Sequence, residues 1–295
     1  MRKSSIQTTA ALPMLPPLPG WIISGPAESL NAAAFRSGAA LAHLTFVTTA
    51  EDLPQTLWRD RLALAAAEIC VAHSGRREGA GALRDAVYLT KAGDDPGPAG
   101  RVFRQWSRAV ARPISVSNLG RALEGIAPER ISLCLNATGP TPVERAAQVI
   151  EAVLADSPRG ETAALILADA VLSKSMGRDH MLPTLSLALK LRDLRHSGDD
   201  LRLACHHAVV AGAGQAVPLA ADLARRASRL KAVVPKLRAK GADRAVEQFL
   251  SCDALAPSAL GFMSDRAARR LCDRLVDLSA VRELTGRDTF RLYGL

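Results

Sequence analysis

The sequence SDRAARRLCDRLVDLSAVRELTGRDTFRLYGL, residues 264–295, has the pattern of a capped helix followed by two short strands. Ser264 is a good N-cap, and Asp265 suits the positive end of the helix dipole. The apolar residues of the helix recur at spacings of four, four and three, which predicts a buried seam of Ala267, Leu271, Leu275 and Leu278. The strands AVREL and TFRLY follow, and TGRD, which contains Gly286, predicts a tight turn between them.

The residues before this stretch complete a recognisable order of elements. ADRAVEQFLSCD predicts a first helix, APSAL a short second helix, and GFM the turn that leads to Ser264. Residues 241–295 therefore predict a small winged helix-turn-helix whose wing has two strands.

The basic residues of this unit and of the segment before it fit a nucleic-acid interface. Four arginines lie off the seam of the third helix and are expected to face outward: Arg266, Arg269, Arg270 and Arg274. A helix fits the major groove, where arginine recognises guanine edges, and the wing-tip Arg287 is expected to enter the minor groove. Four further residues are expected to contact phosphates: Lys236, Arg238, Lys240 and Arg291.

The charge of the chain is concentrated at this end. Residues 225–295 carry 15 Lys and Arg against 8 Asp and Glu, which accounts for +7 of the net charge of +9. Such a patch is typical of a surface that faces a polyanion. Two alternatives remain, a module that binds protein or dimerises and a purely structural tail, because Asp265, Asp273 and Asp277 on the same helix would repel phosphates.

The rest of the chain predicts a mostly α fold. Alanine and leucine dominate and aromatic residues are only 4% of the chain, which favours helices over sheets. We expect a Pro-rich leader over residues 1–25, an all-helical domain over 26–240 and the winged-helix module over 241–295. ERISLCLNATG, residues 129–139, is the one segment of the body that resembles a short strand, whereas TPVERAAQVIEAVLAD predicts a helix capped by Thr141.

Membrane insertion and disulfide bonding are not expected. The longest run without charge, Ala204–Ala221, contains two histidines, two glycines and Pro218, and it predicts a buried helix end followed by a turn. Five cysteines without paired spacing are typical of reduced thiols in a cytoplasm.

No catalytic motif is recognisable, and we expect no cofactor and no metal. Asp94 and Asp95 in GDDPGPAG, Gly93–Gly100, fit a turn before a helix better than a carboxylate pair. Cys205, His206 and His207 invite comparison with a zinc site, but adjacent histidines on a helix point about 100° apart. Buried, hydrogen-bonded histidines are the favoured interpretation.

Several stretches together resemble the bacterial family of proteins of unknown function DUF1403. The stretches are LRDAVYLTKAGDDPGPAGRVFRQW, LADAVLSKSMGRDHMLPTL, LARRASRLKAVVPKLRAKGADRAV and the terminal stretch quoted above. The resemblance covers the chain from about Leu15 onward and implies a helical body with a fixed tail. It brings no activity, substrate or cofactor.

The tail alone also resembles the winged helix of Fic-type proteins. The matching residues are Ser264, Arg274, Leu275, Val276, Leu278, Arg282, Glu283, Thr285, Gly286, Arg287 and Tyr293. Ser279 stands where that pattern has a glycine, at a position that often needs a left-handed backbone. The Fic catalytic motif is absent from the sequence, so the resemblance implies no AMP transfer.

These features predict a non-enzymatic cytoplasmic protein that binds double-stranded DNA through its tail, as a transcriptional or replicon-associated regulator. The alternative is a scaffold whose winged helix binds a protein partner or a second copy of the chain. An enzyme with an unrecognised site in the helical body is a third, less favoured interpretation.

Overall fold

The computed structural model describes residues 15–25, 29–91, 93–287 and 289–295. The first fourteen residues of the predicted Pro-rich leader lie outside the described residues. The part of the leader that follows contains a short helix, α1, Gly20–Ile23, whose Ile22 is buried.

The body is formed by helices joined by loops, the longest of which, residues 176–197, leads from α9 to α10. In chain order they are α2, Leu30–Thr48; α3, Gln55–His73; α4, Ala80–Tyr88; α5, Gly97–Ala111; α6, Val116–Ala122; α7, Pro128–Leu135; α8, Pro142–Asp156; α9, Glu161–Ser175; and α10, Gly198–Val233. Short 3₁₀ turns lie at Leu185–Leu187, Asp193–Arg195 and Val234–Lys236. The mostly α fold is as predicted, and the Thr141 hydroxyl caps α8 by accepting a hydrogen bond from the Glu144 amide at 3.2 Å.

The centre of the body is α9. Its residues Ala164–Ser173 are all buried, because α8, α7, α3 and α5 pack around it. A helix that is apolar on all sides is stable only inside such a layer of other helices. Trp58 of α3 and Trp106 of α5 are fully buried, and Trp58 donates from Nε1 to the Ala216 carbonyl of α10 at 3.0 Å.

Two expectations about the body are wrong. ERISLCLNATG is not a strand but forms most of α7, in which Ile131, Cys134 and Leu135 recur at helical spacing and are buried. Ala204–Ala221 does not contain a turn, because α10 continues through Pro218 as one helix of 36 residues. An internal proline costs a helix about 3 kcal/mol, and the long contact of α10 with α2 offsets this cost.

The close packing of α10 also explains why its glycines do not break it. A Cβ atom at Gly212 would lie 2.1 Å from the Thr184 carbonyl oxygen, so only glycine fits there. Across the described ranges, every helix is too short or too polar to span a lipid bilayer.

The tail follows the order of elements that the sequence predicts. It contains α11, Ala242–Phe249, a 3₁₀ turn at Pro257–Ala259, α12, Asp265–Asp277, β1, Arg282–Glu283, and β2, Tyr293–Gly294. The two strands are antiparallel, with Arg282 opposite Gly294 and Glu283 opposite Tyr293, and Leu255 forms a bridge to the other side of Tyr293. A small wing therefore follows α12, although its strands are shorter than the sequence suggests.

Candidate nucleic-acid interface

Helix α12 is set in the tail by its cap and its apolar seam. Ser264 accepts a hydrogen bond from the Ala267 amide at 3.4 Å and so caps the helix as predicted. The seam is rotated slightly from the prediction, since the buried residues are Ala268, Leu271, Cys272 and Leu275. The predicted members Ala267 and Leu278 are only partly buried, because the short second turn and β1 cover a different side of the helix.

Helix α12 ends in a left-handed residue. Ser279 has a φ of +54°, a conformation that glycine adopts without steric cost and other residues rarely adopt. The backbone at the position where the Fic-type pattern has glycine is therefore left-handed, and the chain turns there into β1.

The predicted recognition arginines are on the surface of α12. Arg266, Arg269, Arg270 and Arg274 are all exposed. Arg269 forms an ion pair with Asp265 at 2.7 Å. The other three have no ion-pair or hydrogen-bond partner for their side chains among the residues that the structure describes.

The outward face of α12 carries charges of both signs in two separate blocks. On a helical wheel with 100° per residue, one sector of about 60° lies directly opposite the seam. This sector contains Arg266, Arg270, Asp273 and Asp277. All four are exposed. The arginines occupy the first half of the helix and the aspartates the second half, so the positive potential is greatest near the N-terminal end.

The wing turn is held by Glu283. Its Oε1 accepts hydrogen bonds from the backbone amides of Thr285 and Gly286, both at 2.9 Å, and from the Thr285 hydroxyl. Burial acts to raise the pKa of Glu283, but these hydrogen bonds and the charge of Arg291 lower it below its usual value. Gly286 has a φ of +62°, as its place in the predicted tight turn requires.

The two wing arginines have partners within the protein. Arg287 forms an ion pair with Asp85 of α4, so the tip of the wing lies against the body. Arg291 donates from Nε to the Arg287 carbonyl at 2.9 Å, and a hydrogen bond with Tyr293 raises its pKa. Contact of either side chain with DNA would require it to exchange one of these partners.

The remaining predicted phosphate contacts lie between the body and the tail. Lys236 ends the 3₁₀ turn after α10, Arg238 and Lys240 follow it, and all three side chains are exposed. Gly241, with a φ of +89°, then starts α11. Arg244 on α11 lies 4.4 Å from the ring centre of Phe262, a residue of the loop that leads into α12.

The junction between tail and body depends on residues that the sequence did not single out. Asp253, in the loop after α11, is fully buried and forms ion pairs with Arg61 of α3 and Arg84 of α4. Arg84 binds both carboxylate oxygens, at 2.6 and 3.0 Å. Asp60 accepts from the Asp253 amide at 3.0 Å and from the Tyr88 hydroxyl at 3.1 Å.

The electrostatics of this junction follow from its burial. Burial raises the pKa of the Asp60 carboxyl, and the nearby charge of Asp253 raises it further. Burial lowers the pKa of the Arg61 guanidinium, an effect that Asp253 opposes. Arg61 also donates to the main-chain oxygens of Asp253 and Leu295, both at 3.3 Å, which fixes β2 against α3.

A weak signal for the junction is present in the sequence. Arg61 follows Leu57 by four residues and Trp58 by three, so it lies on the apolar side of α3. A charged residue at such a position needs a buried partner. Which partner it has depends on contacts across 192 residues, which a local pattern does not reveal.

Asp95 and His206 have structural roles in the described residues, whereas the expectation of a buried histidine is wrong for His207, which is exposed because it points away from its neighbour on α10. Asp95 accepts from the Gly97 amide at 3.0 Å at the start of α5, which is the predicted turn, and its other oxygen pairs with Arg101. His206 is buried, with Nδ1 2.7 Å from the Ser37 hydroxyl. No group of three metal-binding side chains occurs within the described ranges.

Asp169 is a buried carboxylate with a similar structural role. It accepts hydrogen bonds from the amides of Thr184, Leu185 and Ser186 and from the Ser186 hydroxyl, at 2.6–3.2 Å. Burial raises its pKa to about 6, although these hydrogen bonds oppose the shift. The oxygens of Asp169 therefore stabilise the 3₁₀ turn at Leu185–Leu187.

Comparison with known proteins identifies one match. A family model described as "Protein of unknown function (DUF1403)" matches residues 5–295, which include both the body and the tail. No curated protein matches the chain, and no solved structure matches it. The resemblance of the tail to the Fic-type winged helix is therefore not confirmed.

Proposed function

This chain belongs to the DUF1403 family of proteins of unknown function, and we propose that it is a regulator that binds double-stranded DNA through its C-terminal winged helix. In this proposal the N-terminal half of α12 enters the major groove. The lysines and arginine between α10 and α11 contact the adjacent phosphates. The helical body orients the tail and provides the surface for any further binding partner.

The observation that carries the proposal is the uncovered outer face of α12. This helix packs mainly against the Pro257–Ala259 turn and β1, both within the tail. Its outward arginines Arg266 and Arg270 are exposed and have no side-chain partners in the described residues. An arginine fork without an internal partner is free to bind a guanine edge or a phosphate.

The wing supports the proposal in a different way. Because Arg287 pairs with Asp85 of α4, the tip of the wing lies against the body before any DNA is bound. This ion pair is partly exposed, and exposed pairs contribute only about 0–1 kcal/mol. Exchange of Asp85 for a phosphate would therefore cost little.

The proposal places the protein in a cytoplasm. All five cysteines are free in the structure. Free, mostly buried thiols persist in reducing compartments.

Protein binding through the same unit is the second candidate function. Asp273 and Asp277 lie on the outward face of α12 and would approach phosphates if the whole length of the helix lay in a groove. A face with a positive and a negative half is complementary to a protein surface with the opposite arrangement.

Measurement of binding to a mixed-sequence duplex of about 20 base pairs tests the proposal and separates these candidates. We expect the wild type to bind at low salt and R266A/R270A to raise the Kd at least about 30-fold, since each lost charge-assisted contact of an arginine with DNA is worth about 1 kcal/mol or more. The control R101A/R108A removes two exposed arginines of α5 and the same net charge.

We expect the control to bind DNA as the wild type does. Equal loss of binding in both double variants would show that only net charge matters, and absence of binding by the wild type would refute the proposal. Protein binding through α12 would then be the remaining candidate.

A further inference from the structure

A cavity of about 270 Å³ lies between the C-terminal half of α10 and the wing. It is lined by residues that include Arg226 and Arg229 of α10, Arg282 of β1, and Val276, Ser279 and Leu295 of the tail. Three guanidinium groups from two separate parts of the fold therefore converge on one small space.

The two acidic side chains nearby, Asp222 and Glu283, offset only part of the charge of these three arginines. Asp222 is shared, since it accepts from Arg226 Nε at 2.7 Å and from Arg225 at 3.1 Å. Glu283 also lines the cavity, but its Oε1 is occupied by the wing turn. Within the described ranges, Arg229 and Arg282 have no ion-pair or hydrogen-bond partner for their side chains.

The other charges around Arg282 add to the excess of positive charge at this position. Burial lowers the pKa of the Arg282 guanidinium, and the positive charges of Arg226, Arg61 and Arg84 lower it further. The charge of Asp222 opposes them. Folding therefore brings like charges together at this position, and an anion in the cavity would relieve their repulsion.

We infer that this cavity is a binding site for a small molecule that carries an oxyanion group, either phosphate or carboxylate. Arginine forks bind both groups through paired, charge-assisted hydrogen bonds. The volume lies just below the usual range for ligand sites, about 300–1,000 Å³, so the ligand is compact. Val276, Ala280 and Val281 provide an apolar wall for a short carbon skeleton.

The position of the site couples ligand binding to the docking of the tail on the body. The cavity has one wall on α10 and the other on the tail, so a bound anion bridges the body and the wing. Binding of this kind stabilises the docked tail in proportion to ligand concentration. The site does not depend on whether α12 binds DNA.

Isothermal titration calorimetry without DNA tests this inference. The probes are inorganic phosphate, pyrophosphate and citrate, each at constant ionic strength, with wild type, R229Q/R282Q and the control R159Q/R192Q. The control removes two exposed arginines that lie outside the cavity and do not contact its lining. Circular dichroism verifies that each variant is folded.

We expect at least one probe to bind the wild type, R229Q/R282Q to raise its Kd by about tenfold or more, and the control to change the Kd less than twofold. Binding of the phosphates but not citrate identifies a phosphoryl ligand, and the reverse identifies a carboxylate ligand. No heat with any probe, or equal weakening in both double variants, overturns the inference. Either failure leaves the DNA proposal unaffected.

Discussion

The junction at Asp253 and the outer face of α12 both place arginines close to aspartates, but in opposite environments. At the junction, Arg61 and Arg84 are largely buried and both bind one fully buried carboxylate. On α12, Arg266 and Arg270 are exposed and have no partner among the described residues. An arginine that is buried and paired with a carboxylate stabilises the fold, whereas an exposed arginine without a partner is available to a ligand. Burial and partners therefore decide the role of these residues, and residue type alone does not.

The substitution D253N breaks the junction and has the largest expected effect. It keeps the shape of the side chain but leaves two buried guanidinium groups without a counter-charge, which costs about 3–5 kcal/mol of unfolding free energy. Urea unfolding measures this loss. The matched control is D265N, which removes the exposed partner of Arg269 and is expected to cost at most about 1 kcal/mol. Similar effects of the two variants would contradict the distinction between the regions.

A pH titration of stability extends the comparison to Asp169, whose buried carboxylate is held by amides rather than by arginines. Its folded pKa of about 6 lies above the usual value of 3.8, so the folded protein retains a proton that the unfolded chain releases. The group contributes most below the unfolded pKa, and its contribution is lost as pH rises through the folded pKa. The difference in unfolding free energy between wild type and D169N should therefore fall by about 3 kcal/mol between pH 3 and 7, with about 2 kcal/mol of this loss between pH 4 and 6. A flat or rising difference would show that Asp169 is ionised in the folded state throughout.

The variant D273N/D277N sharpens the interpretation of α12. It removes the negative half of the outward face and leaves the arginines of α12 in place, and the amide oxygen of asparagine at position 273 can still accept the hydrogen bond from the Tyr293 hydroxyl. If DNA is the partner, the Kd for a mixed duplex at low salt should fall about threefold to tenfold, because repulsion of phosphates is relieved. A higher Kd would indicate that these carboxylates themselves contact the partner, as a protein-binding face requires.

The smallest expected effect comes from the end of α12. S279G places glycine in a left-handed conformation that serine adopts with strain, so we expect a gain of about 0.5–1 kcal/mol in unfolding free energy. The same change within the last third of α10, S228G, should cost about 0.5 kcal/mol. Loss of stability in S279G would show that the serine side chain has a role that the backbone does not explain.

The sequence predicted those parts of the fold that depend on interactions between residues close together in the chain. The capped helices, the exposed arginines of α12 and the turn at Gly286 depend on residues a few positions apart. The left-handed backbone at Ser279 was also indicated, by its place in the Fic-type pattern. Such features are visible in one sequence because their energetics involve neighbours in the chain.

The features that were missed depend on distant contacts. Pro218 and Gly212 indicate a helix break, yet packing against other elements keeps α10 continuous. Arg84 and Asp253 are separated by 169 residues. Arg226, Arg229 and Arg282 face one cavity only because the tail folds back on α10. The buried junction and the candidate anion site were therefore not predictable from periodicity, capping or charge alone.

The most direct test of the account is the salt dependence of DNA binding. On a mixed-sequence duplex, where Arg266 and Arg270 meet phosphates rather than one particular base sequence, log K should fall linearly with log salt for the wild type. R266A/R270A should flatten the slope by about 1.8, which is about 0.9 for each lost phosphate contact. R101A/R108A should retain the wild-type slope. Equal slopes for the wild type and R266A/R270A would contradict the claim that the unpartnered arginines of α12 form the DNA interface.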